Sequence, residues 1–246
     1  MRNIMLTIEY DGSRYQGWAR LGKDEPGNTI SAKILDVLTK MTGEDIAELY
    51  CGCRTEAGIH AYAQVANFKT GSSMDVHEIK HYLNRYLPMD IAITDVRDVP
   101  ERFHARLNAV SKTYVYRMTI ADVPSVFDRK HTFHCFRMPD VRLMQEAALL
   151  LTGEHDFRNF STVKKAKTTL REIYDIDIYG DEEEMQIMIH ADDFLHNMAR
   201  IIIGTLLEIG MGTRQIEEIE EIFNGEVPAS APCDPKALYL QEISYY

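Results

Sequence analysis

Several features that mark membrane, secreted or zinc-binding proteins are missing from this sequence. The longest apolar runs, at residues 201–203 and 147–151, are far shorter than the roughly 18–20 residues that span a membrane. The N-terminal residues are too polar for a signal peptide. The chain has only four cysteines, none of them in a C-x-x-C pair. We therefore expect a cytoplasmic protein with reduced cysteines and no membrane segment.

An excess of positive charge is missing too, since the formal net charge is −11. Residues 1–130 carry 17 basic and 17 acidic residues, whereas residues 131–246 carry 10 basic and 21 acidic ones. This balance argues against a protein that binds nucleic acid over its whole surface. It is compatible with a local basic cleft, and it predicts that any RNA binding is confined and sensitive to salt.

The hydrophobic pattern predicts an α+β fold. Residues 3–99 give the order β-α-β-β-α-β, which forms an antiparallel sheet with helices on one face. We expect two similar halves of ferredoxin or RRM type, at 1–101 and 102–246, that share one large, mainly antiparallel sheet with a central cleft. The pattern predicts strands at 46–53, 63–69, 170–179 and 185–191, and helices at 141–151, 194–210 and 214–223.

The connection between the second and third predicted strands is unusually rich in functional groups. Arg54, Thr55, Glu56 and His60 fall within seven residues, around a turn of small residues. A carboxylate, a cation and an imidazole on one loop are suited to catalysis. The alternative is a solvated hairpin with an internal ion pair, and the pattern alone leaves both open.

The predicted helix at 194–210 is apolar around most of its circumference. The exceptions are His196, Asn197, Arg200 and Gly204, which fall on one stripe at helical spacing. A buried arginine needs a partner, because an unpaired buried charge is strongly destabilising. Glu56 is a candidate for that partner. The alternative is that Arg200 extends along an exposed edge to reach solvent.

Two further segments combine basic and aromatic side chains in a way that suits RNA. The loop after the first strand carries Arg14 and Tyr15, which are suited to contacts with phosphates and bases. A later segment carries Arg106 and leads into a strand on which Lys112 and Tyr114 share a face. In both cases a structural alternative stays open: rings that attach a loop to the core, or an ordinary half-buried strand.

Residues 77–81 match the H-E-x-x-H pattern of zinc metalloproteases, with His77 and His81 on one face of a predicted helix. Short patterns with two variable positions also arise by chance, and no third ligand follows at a typical spacing. We therefore expect no metal site, and a zinc hydrolase remains a third hypothesis.

The motifs also occur together, in this order, in one family. From end to end, the chain resembles the TruA-type tRNA pseudouridine synthases. The matching segments are Tyr-Asp-Gly-Ser-x-Tyr-x-Gly-Trp at 10–18, Arg-Thr-x-Ala-Gly-x-His at 54–60, Phe-His-Ala-Arg at 103–106, Thr-Gly-Glu-His-Asp-Phe at 152–157, Phe-Leu-x-x-Met-x-Arg at 194–200 and Leu-Tyr-Leu at 238–240. Each motif is weak alone, but their joint order over nearly the whole chain is specific.

The resemblance implies an enzyme that isomerises uridine to pseudouridine at positions 38 to 40, in the anticodon arm of tRNA. It implies a homodimer, with a positively charged cleft in each subunit. It also implies that the reaction uses no metal and no cofactor.

The resemblance further assigns roles to single residues. Glu56 occupies the position of a catalytic carboxylate, Arg200 matches the arginine that pairs with it, and Tyr114 matches the tyrosine that stacks on the target uracil. Arg54 matches a residue that contacts RNA near the flipped base. Leu238 matches an apolar floor beneath the ring.

Three positions near this site differ from the family pattern. The family has aspartate where this chain has Glu56, a glycine where it has Cys53, and usually a small residue where it has Asp193, an acid that could compete for Arg200. Two hypotheses from different classes follow. One is an active synthase with a glutamate nucleophile, and the other is a catalytically weak or inactive paralogue that binds RNA.

Overall fold

A computed structural model describes residues 1–19, 27–46, 48–164 and 167–245. Its contacts divide the chain into two compact units, Met1–Val110 with Tyr239–Tyr246, and Ser111–Leu238. We call them unit 1 and unit 2. In the described ranges, no helix combines the length and the apolar character that a membrane crossing requires.

Unit 1 begins with the predicted β-α-β-β-α-β order. Its elements are β1 (Arg2–Tyr10), α1 (Ile30–Thr42), β2 (Tyr50–Cys51), β3 (His60–Thr70), α2 (Val76–Tyr86) and β4 (Ile91–Val99). Strand β1 is antiparallel to both β3 and β4, and β2 is antiparallel to β3. Alternate residues of β1 are buried (Ile4, Leu6, Ile8 and Tyr10), as expected for a strand with one face on the core.

Unit 2 contains further strands, mainly in antiparallel pairs, and the more apolar helices. Its elements are β5 (Ser111–Ile120), β6 (Phe133–Cys135), α3 (Val141–Leu151), β7 (Gly153–Asp156), β8 (Leu170–Gly180), β9 (Glu184–Ala191), α4 (Met198–Gly210) and α5 (Glu218–Asn224). Strands β5, β9, β8 and β7 follow one another in antiparallel pairs, and β6 is parallel to β5. The predicted α+β class with a large, mainly antiparallel sheet is confirmed.

The last strand, β10 (Leu238–Ser244), returns to unit 1. It runs parallel to β3, with Tyr239 opposite His60 and Leu240 opposite Ala61. The Tyr239 ring stacks on His60 at 4.7 Å and on Tyr62 at 4.9 Å between centroids. The sequence pattern places this strand in the second half, whereas its contacts group it with the first.

Local signals fix several helix ends. Thr29 caps α1 by accepting a hydrogen bond from the Ala32 N–H, and the left-handed Gly43 ends that helix. Asp75 and Glu78 form a capping box at the start of α2. Helix α3 has the predicted bounds.

The predicted strand at 46–53 is wrong in extent, because only Tyr50 and Cys51 form β2. Ala47 lies outside the described residues. Just before this segment, the Glu44 carboxylate accepts hydrogen bonds from Thr70 Oγ1 at 2.6 Å and from Gly71 N at 2.9 Å. The Glu44 side chain thus occupies the Gly71 N–H, just after β3, which a longer strand could have used.

Two predicted helices begin later than expected. The helix predicted from residue 194 starts at Met198, because Asn197 adopts a left-handed backbone with φ of 61°. The helix predicted from residue 214 starts at Glu218. The Glu218 carboxylate accepts hydrogen bonds from Gln215 N and Arg214 Nη1, both at 2.9 Å, which holds the preceding residues in a turn.

Candidate active site

The loop between β2 and β3 carries Glu56, and buried groups hold it on both sides of that residue. Before it, the Gln64 side chain accepts a hydrogen bond from Cys53 N at 3.2 Å and donates one to Cys53 O at 2.7 Å. The buried Thr55 hydroxyl is 2.7 Å from the Tyr10 hydroxyl. After it, Gly58 makes a left-handed turn with φ of 81°. The backbone around Glu56 is therefore fixed by contacts that do not involve its own carboxylate.

The loop after β1 packs directly against this one. The Trp18 N–H donates to Thr55 O at 3.0 Å. Gly17 has φ of +94°, and a Cβ there would lie 2.6 Å from Thr55 O. At Gly12 a Cβ would lie 2.0 Å from Ile59 O. Both glycines are thus required by the close approach of two backbones.

The end of the Glu56 loop, at the start of β3, is fixed by the imidazole of His60. His60 is buried, and its Nδ1 lies 3.1 Å from Asp11 Oδ1 and 3.2 Å from Gly12 N. Its ring also stacks on Tyr239. His60 therefore has a structural role, because it contacts the loop after β1 and Tyr239 of β10 as well as ending its own loop.

Within this frame, the side chains of the loop differ in exposure. Glu56 is half-buried, whereas Arg54 is exposed. The loop thus holds an acidic side chain at a fixed position and leaves a cation two residues earlier accessible to a polyanion.

The other predicted RNA contacts of unit 1 are placed unequally. Tyr15 is only 3 % exposed, and its hydroxyl donates to Asp90 Oδ1 at 2.7 Å. Asp90 also forms an ion pair with the exposed Arg14. Desolvation and the Asp90 carboxylate raise the pKa of Tyr15. Arg106 is exposed, and its backbone N–H donates a hydrogen bond to His104 Nδ1 at 3.1 Å. Arg14 and Arg106 are accessible to solvent, whereas the buried Tyr15 ring attaches its loop to the protein.

In unit 2, the predicted residues of β5 are buried. Lys112 is 5 % exposed and forms an ion pair with Asp193, which is 39 % exposed. The Tyr114 ring packs edge-on against Phe194 at 5.0 Å between centroids. The expected competition of Asp193 for Arg200 is not what these contacts show, because Asp193 Oδ1 is engaged by Lys112 and by Phe194 N.

Arg200 lies in the first turn of α4 and is held by neutral oxygens. Its Nε donates to Cys233 O at 2.7 Å, and its Nη1 donates to Asn197 Oδ1 at 2.9 Å. Cys233 N in turn donates to Arg200 O at 3.1 Å. Neither acceptor carries a charge, so these contacts orient the guanidinium without neutralising it.

The segment that contacts Arg200 is itself tightly packed on α4. A Cβ at Gly204 would lie 2.2 Å from Ser230 Oγ and 2.8 Å from Ala231 O. The Ser230 hydroxyl donates to Ile201 O at 3.2 Å. Burial raises the pKa of the Cys233 thiol to about 12. Leu238, at the start of β10, is buried.

Comparison with known proteins identifies the family. A family model described as tRNA pseudouridine synthase matches residues 6–108 and 147–246. A protein of Bacillus sp. (strain KSM-64) named tRNA pseudouridine synthase A is 44% identical over 247 residues, covering 100% of both chains. Proteins named tRNA pseudouridine synthase A 2 from Bacillus anthracis and Clostridium perfringens (strain 13 / Type A) are 41% and 40% identical, again over 100% of both chains.

The chain belongs to the tRNA pseudouridine synthase family. It is therefore an isomerase, and the expected family is confirmed. The segments matched by the family model include Glu56 and Arg200 but not Lys112 or Tyr114. The roles assigned to these four residues stay predictions.

Two residues that hold the candidate site were not singled out by the sequence patterns. Gln64 holds the Glu56 loop, and Cys233 holds Arg200. Gln64 was a usable signal, because an amide on the buried face of a strand needs hydrogen-bond partners. Cys233 gave no such signal, since its role depends on a contact across 33 residues. Gly17 and Asn197 lie in the 10–18 motif and on the polar stripe of the 194–210 helix, but neither pattern predicted their left-handed backbones.

The H-E-x-x-H segment lies on α2 of this synthase. His77 and His81 are exposed, and Glu78 accepts a hydrogen bond from Asp75 N in the capping box. In the described part of the chain, the two histidines belong to no group of three or more potential metal ligands.

Proposed function

We propose that this isomerase converts uridine to pseudouridine in tRNA, at positions 38 to 40 of the anticodon arm, with Glu56 as the nucleophile. The observation that supports this most is the way the Glu56 loop is held. Gln64, Thr55 and Gly17 fix its backbone, while the carboxylate itself is half-buried. A nucleophile fixed in this way loses little freedom when the substrate binds, and such preorganisation contributes strongly to rate.

The chemistry requires one carboxylate and a flipped nucleotide. The Glu56 carboxylate attacks either the base or the sugar, and the bond between the ribose and the ring nitrogen breaks. The uracil rotates, a ring carbon bonds to the same ribose carbon, and the bond to the Glu56 carboxylate breaks, which regenerates the free side chain. That ring carbon loses a proton and the nitrogen gains one, so atoms and electrons balance without a metal, a cofactor or another reactant.

The remaining site residues have supporting roles in this proposal. Arg200 pairs with Glu56 and keeps it ionised, Tyr114 stacks on the uracil, and Leu238 forms the floor beneath it. Arg54 contacts the RNA near the flipped base.

Further basic residues contact the RNA backbone. Arg14 and Arg106 are exposed and meet phosphates, with Tyr15 anchoring Arg14 through their shared Asp90. Lys112 belongs to the same RNA-binding set in this proposal, and its ammonium group is paired with Asp193 in the structure. We further propose that the enzyme is a cytoplasmic homodimer.

The test is pseudouridine formation in unmodified tRNA transcripts, with the product sites mapped by sequencing. Wild-type protein is compared with Glu56→Gln, which has the same shape but no charge. Glu101→Gln is the matched control, since Glu101 is exposed and lies outside the site. A transcript with cytidine at positions 38 to 40 tests the target sites.

We expect multiple turnover with wild-type and Glu101→Gln protein, none with Glu56→Gln, and none on the cytidine transcript. Product from Glu56→Gln at the wild-type rate would contradict the role of Glu56. Product that persists on the cytidine transcript would contradict the anticodon-arm target. Binding of tRNA without product would replace the proposal by the binding paralogue.

A further inference from the structure

We infer that Asn197 is a positioning residue that fixes the orientation of Arg200 before the substrate binds. This inference rests on the proposed function, in which Arg200 pairs with the nucleophilic carboxylate. The observation behind it is separate, because both the backbone and the side chain of Asn197 depart from the normal start of a helix.

The backbone of Asn197 is left-handed, with φ of 61° and ψ of 5°. In the described ranges, every other residue with positive φ is a glycine. A residue with a Cβ keeps this conformation only where its surroundings enforce it, and such residues cluster at functional sites. Asparagine tolerates it better than most side chains do.

The side chain is also used in an unusual way. Asparagine at the start of a helix normally accepts a hydrogen bond from an N–H two or three residues later. Helices α1, α2 and α3 begin in that way, capped by Thr29, Asp75 and Asp140. Asn197 makes no such bond at α4. Its oxygen instead accepts from Arg200 Nη1 at 2.9 Å.

The partners of Asn197 determine which way its amide faces. A guanidinium only donates hydrogen bonds, so the atom facing Arg200 must be the oxygen. The amide nitrogen then donates to Thr162 Oγ1 at 2.9 Å, and Thr162 is also hydrogen-bonded to His196. Asn197 is therefore held from behind by a short polar network, which makes its oxygen a fixed acceptor.

Two fixed acceptors determine the plane of the guanidinium. Asn197 Oδ1 holds Nη1, and Cys233 O holds Nε at 2.7 Å. Both acceptors are neutral, so Arg200 keeps its full charge for a carboxylate. An acidic residue at position 197 would also accept from Nη1, but it would neutralise the cation.

The test separates orientation from folding with Asn197→Gly. Glycine adopts positive φ without strain, so the backbone at the start of α4 is retained, while the acceptor for Arg200 and the hydrogen bond to Thr162 are lost. We expect an unchanged or higher melting temperature and an unchanged KM. We expect kcat to fall by about 10- to 100-fold, the range for losing a hydrogen bond to a charged group.

The same change in an Arg200→Lys background is the control. Lysine has no Nη1, so a residue that acts through Arg200 has little left to contribute, and we expect less than about a twofold further loss of kcat. Equal losses in both backgrounds would overturn the inference, because they would mean that Asn197 acts through the fold. An unchanged kcat in Asn197→Gly would also overturn it.

A measurement that needs no turnover tests the role of Asn197 separately from the proposed function. Nitrogen-15 NMR of the arginine side chains, with Arg200 assigned by its loss in Arg200→Lys, reports rotation of the guanidinium. We expect slow rotation in the wild type and faster rotation in Asn197→Gly. If the wild type made no pseudouridine, the proposed function would fail alone, and equal rotation in both proteins would overturn the role of Asn197.

Discussion

The two units hold their functional side chains by different means. In unit 1, the loop that carries Glu56 is fixed mainly through its backbone, by Gln64 on Cys53 and by close contacts at Gly17. In unit 2, the cations are held through their own side chains, with Lys112 on Asp193 and Arg200 on neutral oxygens. A backbone-held loop accepts a new side chain without moving, whereas a side-chain contact is lost with either partner.

This difference explains how glutamate is accommodated at position 56. The contacts at Cys53, Thr55 and Gly17 fix the loop, so an added methylene at position 56 changes the reach of the side chain and leaves those contacts in place. Substitutions in the unit 1 loops are therefore expected to act on stability, and those at Glu56 on rate.

The largest effect is expected from Gly17→Ala, which tests the backbone contact in unit 1. The added Cβ would meet Thr55 O at 2.6 Å, and φ of +94° is unfavourable for alanine. Clash and strain together should lower the free energy of unfolding by about 2–4 kcal/mol. Denaturant unfolding measures this loss.

Gly43→Ala is the matched control, since Gly43 has φ of +69° and nothing within 4 Å of a Cβ. It should lose only about 1 kcal/mol, the cost of the left-handed backbone. Equal losses of free energy of unfolding in the two variants would show that the two loops adjust easily. The loop that carries Glu56 would then not be held through its backbone.

Next in size is Glu56→Asp, which shortens the carboxylate by one methylene on a loop that cannot follow it. A misplacement near 1 Å reduces the rate by about 100-fold, so kcat should fall by that factor while the melting temperature stays the same. Steady-state kinetics on a tRNA transcript would measure it. A rise in kcat would mean that the site still has the geometry of the family aspartate.

A smaller effect is expected from Asp193→Asn, which tests the side-chain contact in unit 2. Lys112 is only 5 % exposed, and it would keep its charge without the carboxylate that now accepts from it. The free energy of unfolding should fall by about 1–3 kcal/mol. Lys112→Met removes the cation instead, so it should cost less. A larger loss of free energy of unfolding in Lys112→Met than in Asp193→Asn would show that the buried charge of Lys112 does not determine the contribution of this pair.

The smallest effect concerns thiol reactivity, where the two units should agree. Burial raises the pKa of both Cys51, in unit 1, and Cys233, in unit 2, to about 12. The thiolate is the reactive form, so below about pH 10 both should be alkylated far more slowly than in the unfolded chain. Peptide mass spectrometry after iodoacetamide treatment would show this. Rapid labelling of Cys233 alone would indicate that the segment holding Arg200 opens.

Local signals explain how much of the fold was predictable. Capping residues such as Thr29 and Asp75 act within one helical turn, and alternating burial is visible in the sequence of β1. The start of α4 was missed because nothing local requires Asn197 to be left-handed. Strands β6 and β7 were missed because they are short and are defined by their pairing partners.

The site was predictable in its residue types but not in how those residues are held. The loop at 53–60 and Arg200 were found from their composition. The contact of Gly17 with Thr55 spans 38 residues of chain, and no periodicity encodes such a contact. The burial of Tyr15 and Lys112 was likewise hidden, because the same side chains suit either an RNA surface or the interior.

The return of β10 to unit 1 has a consequence for how the protein is made. Residues 1–110 leave the ribosome early, but the edge of β3 beside His60 lacks its parallel partner until Tyr239 and Leu240 are synthesised. Vectorial synthesis therefore leaves a nascent chain with an open strand edge while all of unit 2 is translated. A stop codon before residue 238 would leave every proposed catalytic side chain in the product and still deprive the first unit of its closing strand.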